Sequence, residues 1–183
     1  DNVRIELDSD EVPILDGSAA PWVDLILDTG LAAQDAPRLY LVITRPIEIE
    51  DGEKRIAVYP SRDYRVTYAI DFDHPKLGFQ EVTVSPWGVT AFRRMLAPAR
   101  TFVLEKEVES LRRAGLARGG SLENAVVVGE QGVLNEGLRY PDEFVRHKIL
   151  DRIGDISLLG AAVKAHFVAV KSGAEATASD LIT

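Results

Sequence analysis

The chain contains no cysteine among its 183 residues. That absence excludes disulfide bonds, thiolate nucleophiles and cysteine-based zinc sites, and leaves histidine, aspartate and glutamate as metal ligands. It also fits a reducing compartment. Basic residues are few: 21 Lys and Arg stand against 29 Asp and Glu, for a net charge of −8. Because a general nucleic-acid binder needs a basic face, we expect no nucleic-acid partner.

Long apolar runs are missing as well. No stretch reaches the roughly eighteen apolar residues of a membrane-spanning helix, so none is expected. Residues 1–4 do not resemble a signal peptide. They lack a starting Met and lead directly into an alternation of Val3, Ile5 and Leu7 that predicts a strand. We therefore expect a chain cut from something longer.

What is present predicts a packed domain, because 46% of the residues are apolar and 27% are charged. Asp16 is a candidate N-cap for a helix that ends at Gly30. Strands are predicted from Tyr40 to Val84, with a hairpin turn at Asp51-Gly52. Further helices are predicted at about 87–97, 105–116 and 141–159, and further strands at 125–128 and 167–170. This order indicates an α+β fold.

The most informative segment is the last of these helices. His147, Asp151 and Asp155 are four residues apart and therefore share one helical face. The helix is otherwise largely apolar, and polar groups buried there need partners. A metal ion would satisfy an imidazole and a carboxylate together. An ordinary hydrogen-bonded pair is the alternative, because this spacing is not specific and a catalytic zinc site requires a third ligand.

Other candidate motifs each have a simpler explanation. Gly119-Gly120-Ser121 is typical of a phosphate-binding nest, but also of a plain loop. Thr101 offers a hydroxyl beside Arg100 after a helix end, which by itself predicts a loop. The other two histidines are His74, in a predicted turn, and His166, at the start of a predicted strand.

A set of short motifs carries a resemblance to a known family. In chain order they are LDGSAAPW at 15–22, IDFDHP at 70–75, ARTF at 99–102, GGS at 119–121, LNE at 134–136, DEFVRHK at 142–148, LD at 150–151, GD at 154–155 and KSG at 171–173. Together they resemble the zinc-dependent deacetylase of lipid A biosynthesis, which acts on UDP-3-O-acyl-N-acetylglucosamine. The resemblance covers residues 1 to 173.

The resemblance implies a fold of two similar α+β sandwiches with the active site between them. Residues 1–33 would be the end of the first sandwich, a strand plus a helix. Residues 34–173 would be the second, a two-layer β-α-α-β sandwich with a βαβ insert at about 103–127, and residues 174–183 a divergent tail. The protein would be a cytoplasmic monomer that serves biogenesis of the Gram-negative outer membrane.

The resemblance also implies roles for particular residues. Zinc would be held by His147, Asp151 and a His of the first sandwich, with a neighbouring Glu as general base. Thr101 would steady the developing oxyanion, and Lys148 would help to hold the substrate. Asp155 would orient a catalytic His that directly follows Lys-Ser-Gly. The insert would form a passage for the acyl chain, lined by Leu104, Val108, Leu111, Ala117 and Val127. Phe102 and Ser121 are also expected to bind the substrate.

Two departures from the family's pattern bear on activity. The chain begins near the end of the first sandwich, so the His and Glu of that half are absent. Lys171-Ser172-Gly173 is followed by Ala174 instead of His. We therefore expect the chain alone to be inactive or strongly impaired. The alternative function is an inactive fragment, or a module that binds an acyl chain or nucleotide sugar.

Overall fold

The computed structural model of the chain describes residues 2–171. Its helices within that range are α1 (Ala20–Thr29), α2 (Gly88–Met95), α3 (Glu105–Arg113) and α4 (Glu143–Ser157). Its strands are β1 (Tyr40–Val42), β2 (Ile47–Asp51), β3 (Lys54–Pro60), β4 (Arg65–Phe72), β5 (Gly78–Val84), β6 (Phe102–Leu104), β7 (Val126–Gly129), β8 (Gly132–Val133) and β9 (Ala162–Val170). The predicted α+β class is confirmed.

The larger sheet has six strands and is built around β9. Its order is β2-β3-β9-β4-β5, with β1 paired to the first residues of β9. Strand β9 runs parallel to β1 and β4 and antiparallel to β3. The predicted hairpin turn at Asp51-Gly52 joins β2 to β3, and Gly30 follows α1 with a positive φ of 87°. The last strand of the described chain thus completes the centre of the sheet.

Helix α4 packs on this sheet through its apolar face. Val66, Tyr68 and Ile70 alternate along β4, so they share one face of the sheet, and all three are buried. Phe144, Val145 and Ile149 of α4 are buried in the same core. The face of α4 that carries His147 and Asp151 is more exposed. Core packing therefore decides which way the candidate ligands point.

The smaller sheet has three strands in the order β6-β7-β8. Strands β6 and β7 are parallel, and α3 connects them, which is a βαβ unit. The register pairs Phe102 with Val126, Val103 with Val127 and Leu104 with Val128. The ring of Phe102 packs edge to face on the ring of Phe144, with 5.0 Å between their centroids, so this unit packs against α4.

The predicted first strand is wrong. Residues 3–7 form no strand, and Val3, Ile5 and Leu7 are exposed. A strand needs a neighbour for its backbone groups, and none pairs with this segment within residues 2–171. The proposed N-cap also differs, because α1 begins at Ala20. Asp16 instead accepts hydrogen bonds from the amide (3.0 Å) and hydroxyl (2.8 Å) of Ser18.

The helices of residues 2–171 are all too short or too polar to span a membrane.

Candidate metal and substrate site

His147 and Asp151 lie one turn apart on α4, with their side chains close together. The imidazole is 15% exposed and the carboxylate 47%, so the ring is mostly covered and the carboxylate is half-exposed. The Nε2 atom of His147 lies 3.4 Å from Oδ1 of Asp151. The other carboxylate oxygen accepts from Lys148 Nζ at 3.1 Å. The predicted pair is therefore assembled, with Lys148 beside it.

The backbone before Thr101 sets the orientation of the His147 ring. Nδ1 of His147 lies 3.0 Å from the carbonyl oxygen of Ala99. A carbonyl can only accept, so Nδ1 carries the proton in this contact. The other ring nitrogen, Nε2, faces Asp151. Donation of the other ring nitrogen to a carbonyl is the usual arrangement of a histidine that ligates a metal.

The separation of the two candidate ligand atoms fits zinc. Ligand atoms about 2.1 Å from a tetrahedral zinc ion lie about 3.4 Å from each other. The distance between His147 Nε2 and Asp151 Oδ1 has this value. Imidazole and carboxylate are also ligands that zinc accepts. His147 and Asp151 therefore fit two positions of a zinc site.

The described residues contain no third ligand for this site. No group of three or more His, Asp or Glu side chains comes close enough in residues 2–171 to hold a metal ion. His74 lies in the turn after β4, where Nδ1 accepts from the amide of Lys76. His166 lies in the middle of β9, hydrogen bonded through Nε2 to Thr67 at 2.8 Å. Burial, followed by the nearby charge of Arg65, lowers the pKa of His166.

We expect the chain to bind zinc weakly, because catalytic sites use three protein ligands. Calorimetric titration should show no tight 1:1 complex, and the weak heat that remains should disappear in His147→Ala. His166→Ala is the matched control and should titrate like the unchanged chain. A tight 1:1 complex that His147→Ala abolishes would show that the chain supplies another ligand.

Thr101 is held on both sides by backbone hydrogen bonds. Its amide donates to the carbonyl of Gly17 at 2.8 Å, and its own carbonyl accepts from the amide of Val126 at 2.8 Å. The first contact comes from the loop before α1 and the second from the start of β7. The loop of residues 99–101 is thus bonded to the loop before α1, to the start of β7 and, through the His147 ring, to α4.

Gly17 has little room for any side chain. Its φ is +80°, and an added Cβ would lie 2.0 Å from the carbonyl oxygen of Asn124. Gly17→Ala should lower the free energy of unfolding by about 2–4 kcal/mol, from backbone strain and overpacking together. Gly30→Ala is the matched control, because Gly30 has a φ of +87° with nothing within 4 Å of an added Cβ.

Urea denaturation of the two glycine variants would isolate the close approach of Gly17 to Asn124. Gly30→Ala should lose only about 1 kcal/mol, the cost of the positive φ. Equal losses in both variants would show that the contact between the loop before α1 and residue 124 contributes nothing to stability.

The structure places Asp155 one turn beyond Asp151 on α4. Its Oδ2 lies 3.2 Å from NH1 of Arg152, so the two side chains form an ion pair three residues apart on the helix. The residue it is expected to orient follows Lys-Ser-Gly. That position is Ala174, which lies outside the described residues, as do Ser172 and Gly173. Lys171 pairs with Glu53 and Asp71, both at 3.0 Å.

The predicted substrate-binding residues of the small sheet divide between its two faces. The register puts Phe102 and Leu104 on the face of Val128, and Leu104 belongs to the hydrophobic core. Val127 is on the opposite face. The remaining members of the predicted set are half-buried or exposed: Val108 and Leu111 on α3, and Ala117 and Ser121 in the loop after it.

A cavity of about 480 Å³ lies on the Leu104 face. Its lining residues are His74, Leu104, Glu105, Lys106, Val128, Gly129, Glu130, Gln131 and Leu134. Leu104 is the one member of the predicted passage among them. The predicted nest at residues 119–121 is a turn, in which Asn124 accepts from the amide of Ser121 and donates to the carbonyl of Gly119.

Sequence reasoning missed a buried ion pair beneath the site. The Glu143 side chain is 0% exposed and pairs with Arg100, 2.9 Å from its Nε. Burial alone would raise the pKa of Glu143. Hydrogen bonds from the side chain and amide of Arg100 and from the amide of Arg139 outweigh it and hold the pKa below its usual range. No local pattern signals this pair, because its members are 43 residues apart.

Comparison with known proteins gives one consistent result. A family model described as UDP-3-O-acyl N-acetylglycosamine deacetylase matches residues 1–181. A protein of Syntrophotalea carbinolica is 53% identical over 174 residues, which cover 94% of this chain and 56% of the relative. A protein of Myxococcus xanthus is 51% identical, covering 94% and 55%. Both are named UDP-3-O-acyl-N-acetylglucosamine deacetylase, and the chain spans a little over half of their length.

Proposed function

Because this chain belongs to the UDP-3-O-acyl N-acetylglycosamine deacetylase family, we propose that it forms one half of a zinc-dependent deacetylase site. The substrate would be UDP-3-O-(hydroxyacyl)-N-acetylglucosamine, and the reaction hydrolysis of its N-acetyl group. The observation that carries the proposal is the pair of His147 and Asp151, whose ligand atoms are 3.4 Å apart. The step would commit the substrate to lipid A biosynthesis.

The chain's own residues would have separate tasks. His147 and Asp151 would hold zinc, which when bound supplies an activated water and polarises the amide carbonyl. The Thr101 hydroxyl would donate to the oxyanion that develops on that carbonyl. Lys148, 3.1 Å from Asp151, adds a positive charge at the rim, where it would attract the diphosphate.

The proposal includes the finer architecture that the resemblance implies. Residues 34–173 would be a two-layer β-α-α-β sandwich with the insert at about 103–127, and residues 1–33 the end of a first sandwich. Exposed apolar residues before α1 support the second point, since Val3, Ile5 and Leu7 lack a neighbouring strand within residues 2–171. The cytoplasmic location and monomeric state rest on the resemblance alone.

A chimera would test the function. The part of the Syntrophotalea carbinolica relative that precedes the matched region would be joined to this chain, and acetate release from the UDP-sugar would be measured. We expect slow, zinc-dependent release that His147→Ala abolishes, with His166→Ala as the matched control. Release unaffected by His147→Ala would refute the assignment.

The alternative is a binding module without chemistry, and Ala174 is the observation that favours it. Such a module would bind the UDP-sugar or its acyl chain and release no acetate. The same chimera discriminates the two, because binding by calorimetry with no acetate release supports the module.

NMR shifts induced by a ligand would test the predicted acyl passage. A hydroxylated fatty acid should shift the amide signals of Val108, Leu111 and Val127, because these residues are predicted to line the passage. Val127→Asp should abolish the shifts, since burying a carboxylate against an acyl chain is costly. Val42→Asp, on exposed β1, is the matched control. Shifts confined to residues 40–84 would mean that the passage lies elsewhere.

A further inference from the structure

The carboxylate of Glu143 accepts four hydrogen bonds. Its Oε1 accepts from the amide of Arg100 at 3.0 Å and from the Nε of Arg100 at 2.9 Å. Its Oε2 accepts from NH2 of Arg100 at 3.2 Å and from the amide of Arg139 at 2.6 Å. The carboxylate is fully buried, so each of these bonds is made without competition from water. Arg100 is therefore held by its backbone and its side chain at once.

The residues on either side of Arg100 are the ones that touch the candidate site. The carbonyl of Ala99 accepts from His147 Nδ1, and Thr101 is the candidate oxyanion donor. Glu143 and His147 are four residues apart and so lie on the same face of α4. One helix thus holds both ends of a single peptide group, the Ala99 carbonyl through His147 and the Arg100 amide through Glu143.

We propose that Glu143 is a positioning residue, which fixes the Ala99 carbonyl and thereby the orientation and tautomer of the His147 ring. The metal-binding consequence rests on the proposed function, because it takes His147 as a zinc ligand. Stability alone is a poor reason for this pair, since a buried ion pair is often no better than apolar residues of the same volume. Partners that orient a ligating histidine typically change metal affinity 10–100-fold when removed.

Two variants separate orientation from folding. Glu143→Gln keeps one acceptor oxygen for Arg100 but sets an amide NH2 against the donors of Arg100 and Arg139. Glu143→Asp keeps the charge and shortens the reach. Val58→Ala is the control, because Val58 is a buried core residue of β3, in the sheet. It should lower stability without touching the 99–101 loop.

The readout is the ¹⁵N spectrum of the His147 ring together with the ¹³C signal of the Ala99 carbonyl, in the 183-residue chain without metal. We expect the unchanged chain and Val58→Ala to show the proton on Nδ1. Glu143→Gln should move it toward Nε2 and shift the carbonyl signal, with Glu143→Asp between the two. Zinc affinity in the chimera should fall about 10–100-fold in Glu143→Gln and stay unchanged in Val58→Ala.

A folded Glu143→Gln chain with unchanged His147 and Ala99 signals would overturn the proposal. So would failure of both Glu143 variants to fold, because Glu143 would then act on the whole domain. A different outcome would refute the proposed function and leave the positioning role intact. The ring signals would respond to Glu143→Gln as expected, while no chimera would bind zinc.

Discussion

Replacing Arg100 with methionine will lower the free energy of unfolding by about 3–5 kcal/mol at neutral pH, because it leaves a buried carboxylate without its counter-charge. Methionine fills much of the same volume, so the loss reports the charge and hydrogen bonds of Arg100 more than a cavity. Urea denaturation with a constant slope would measure it. Arg113→Met is the matched control, since Arg113 pairs with Glu109 on the exposed face of α3 and should lose under about 1 kcal/mol.

The loss should depend on pH in a defined direction. In the unchanged chain the pKa of Glu143 is lowered on folding. The stability that Glu143 contributes is therefore fully present above its pKa in the unfolded chain. It is lost as the pH falls through its pKa in the folded chain. In Arg100→Met the pKa of Glu143 should rise above its unfolded value, so acid favours the folded variant. The difference between the two proteins should shrink from about pH 7 to about pH 4, and a constant difference would contradict the ion-pair explanation.

Introducing histidine at position 174 of the chimera should raise its rate of deacetylation by about 10²–10⁴-fold, the usual contribution of a positioned acid or base. This corresponds to roughly 3–5 kcal/mol of activation free energy. The resemblance implies that the residue after Lys-Ser-Gly would donate a proton to the departing amine, and alanine has no proton to give. The same substitution in the 183-residue chain should produce no activity, because two zinc ligands remain too few.

The measurement is the rate of acetate release as a function of pH. Ala174→His should add a titrating group to the pH profile of kcat, whereas the Ala174 chimera should lack it. Ala176→His is the matched control, with the same new side chain two residues further on, and should leave the rate unchanged. A chimera that is already fast with Ala174, or a gain of equal size from Ala176→His, would refute this role for position 174.

The amino-acid sequence by itself determined much of the local structure and the His147–Asp151 pair of the candidate site. The sequence predicted strands between Tyr40 and Val84, and Asp51-Gly52 predicted the hairpin between β2 and β3. The four-residue spacing of His147 and Asp151 predicted that their side chains meet, which the helix geometry confirms. These inferences succeed because they depend on repeats and turn preferences within a few residues of chain.

Only the tertiary structure decided what lies around that pair. The contact of Ala99 with His147 joins residues 48 apart, and the ion pair of Arg100 with Glu143 joins residues 43 apart. The register of β6 on β7 separates Val127 from Leu104, which no pattern in either strand predicts. Val3, Ile5 and Leu7 have the alternation of a strand and form none, because a strand exists only with a partner. Periodicity describes one segment at a time, whereas pairing and burial depend on which distant segments the folded chain brings together.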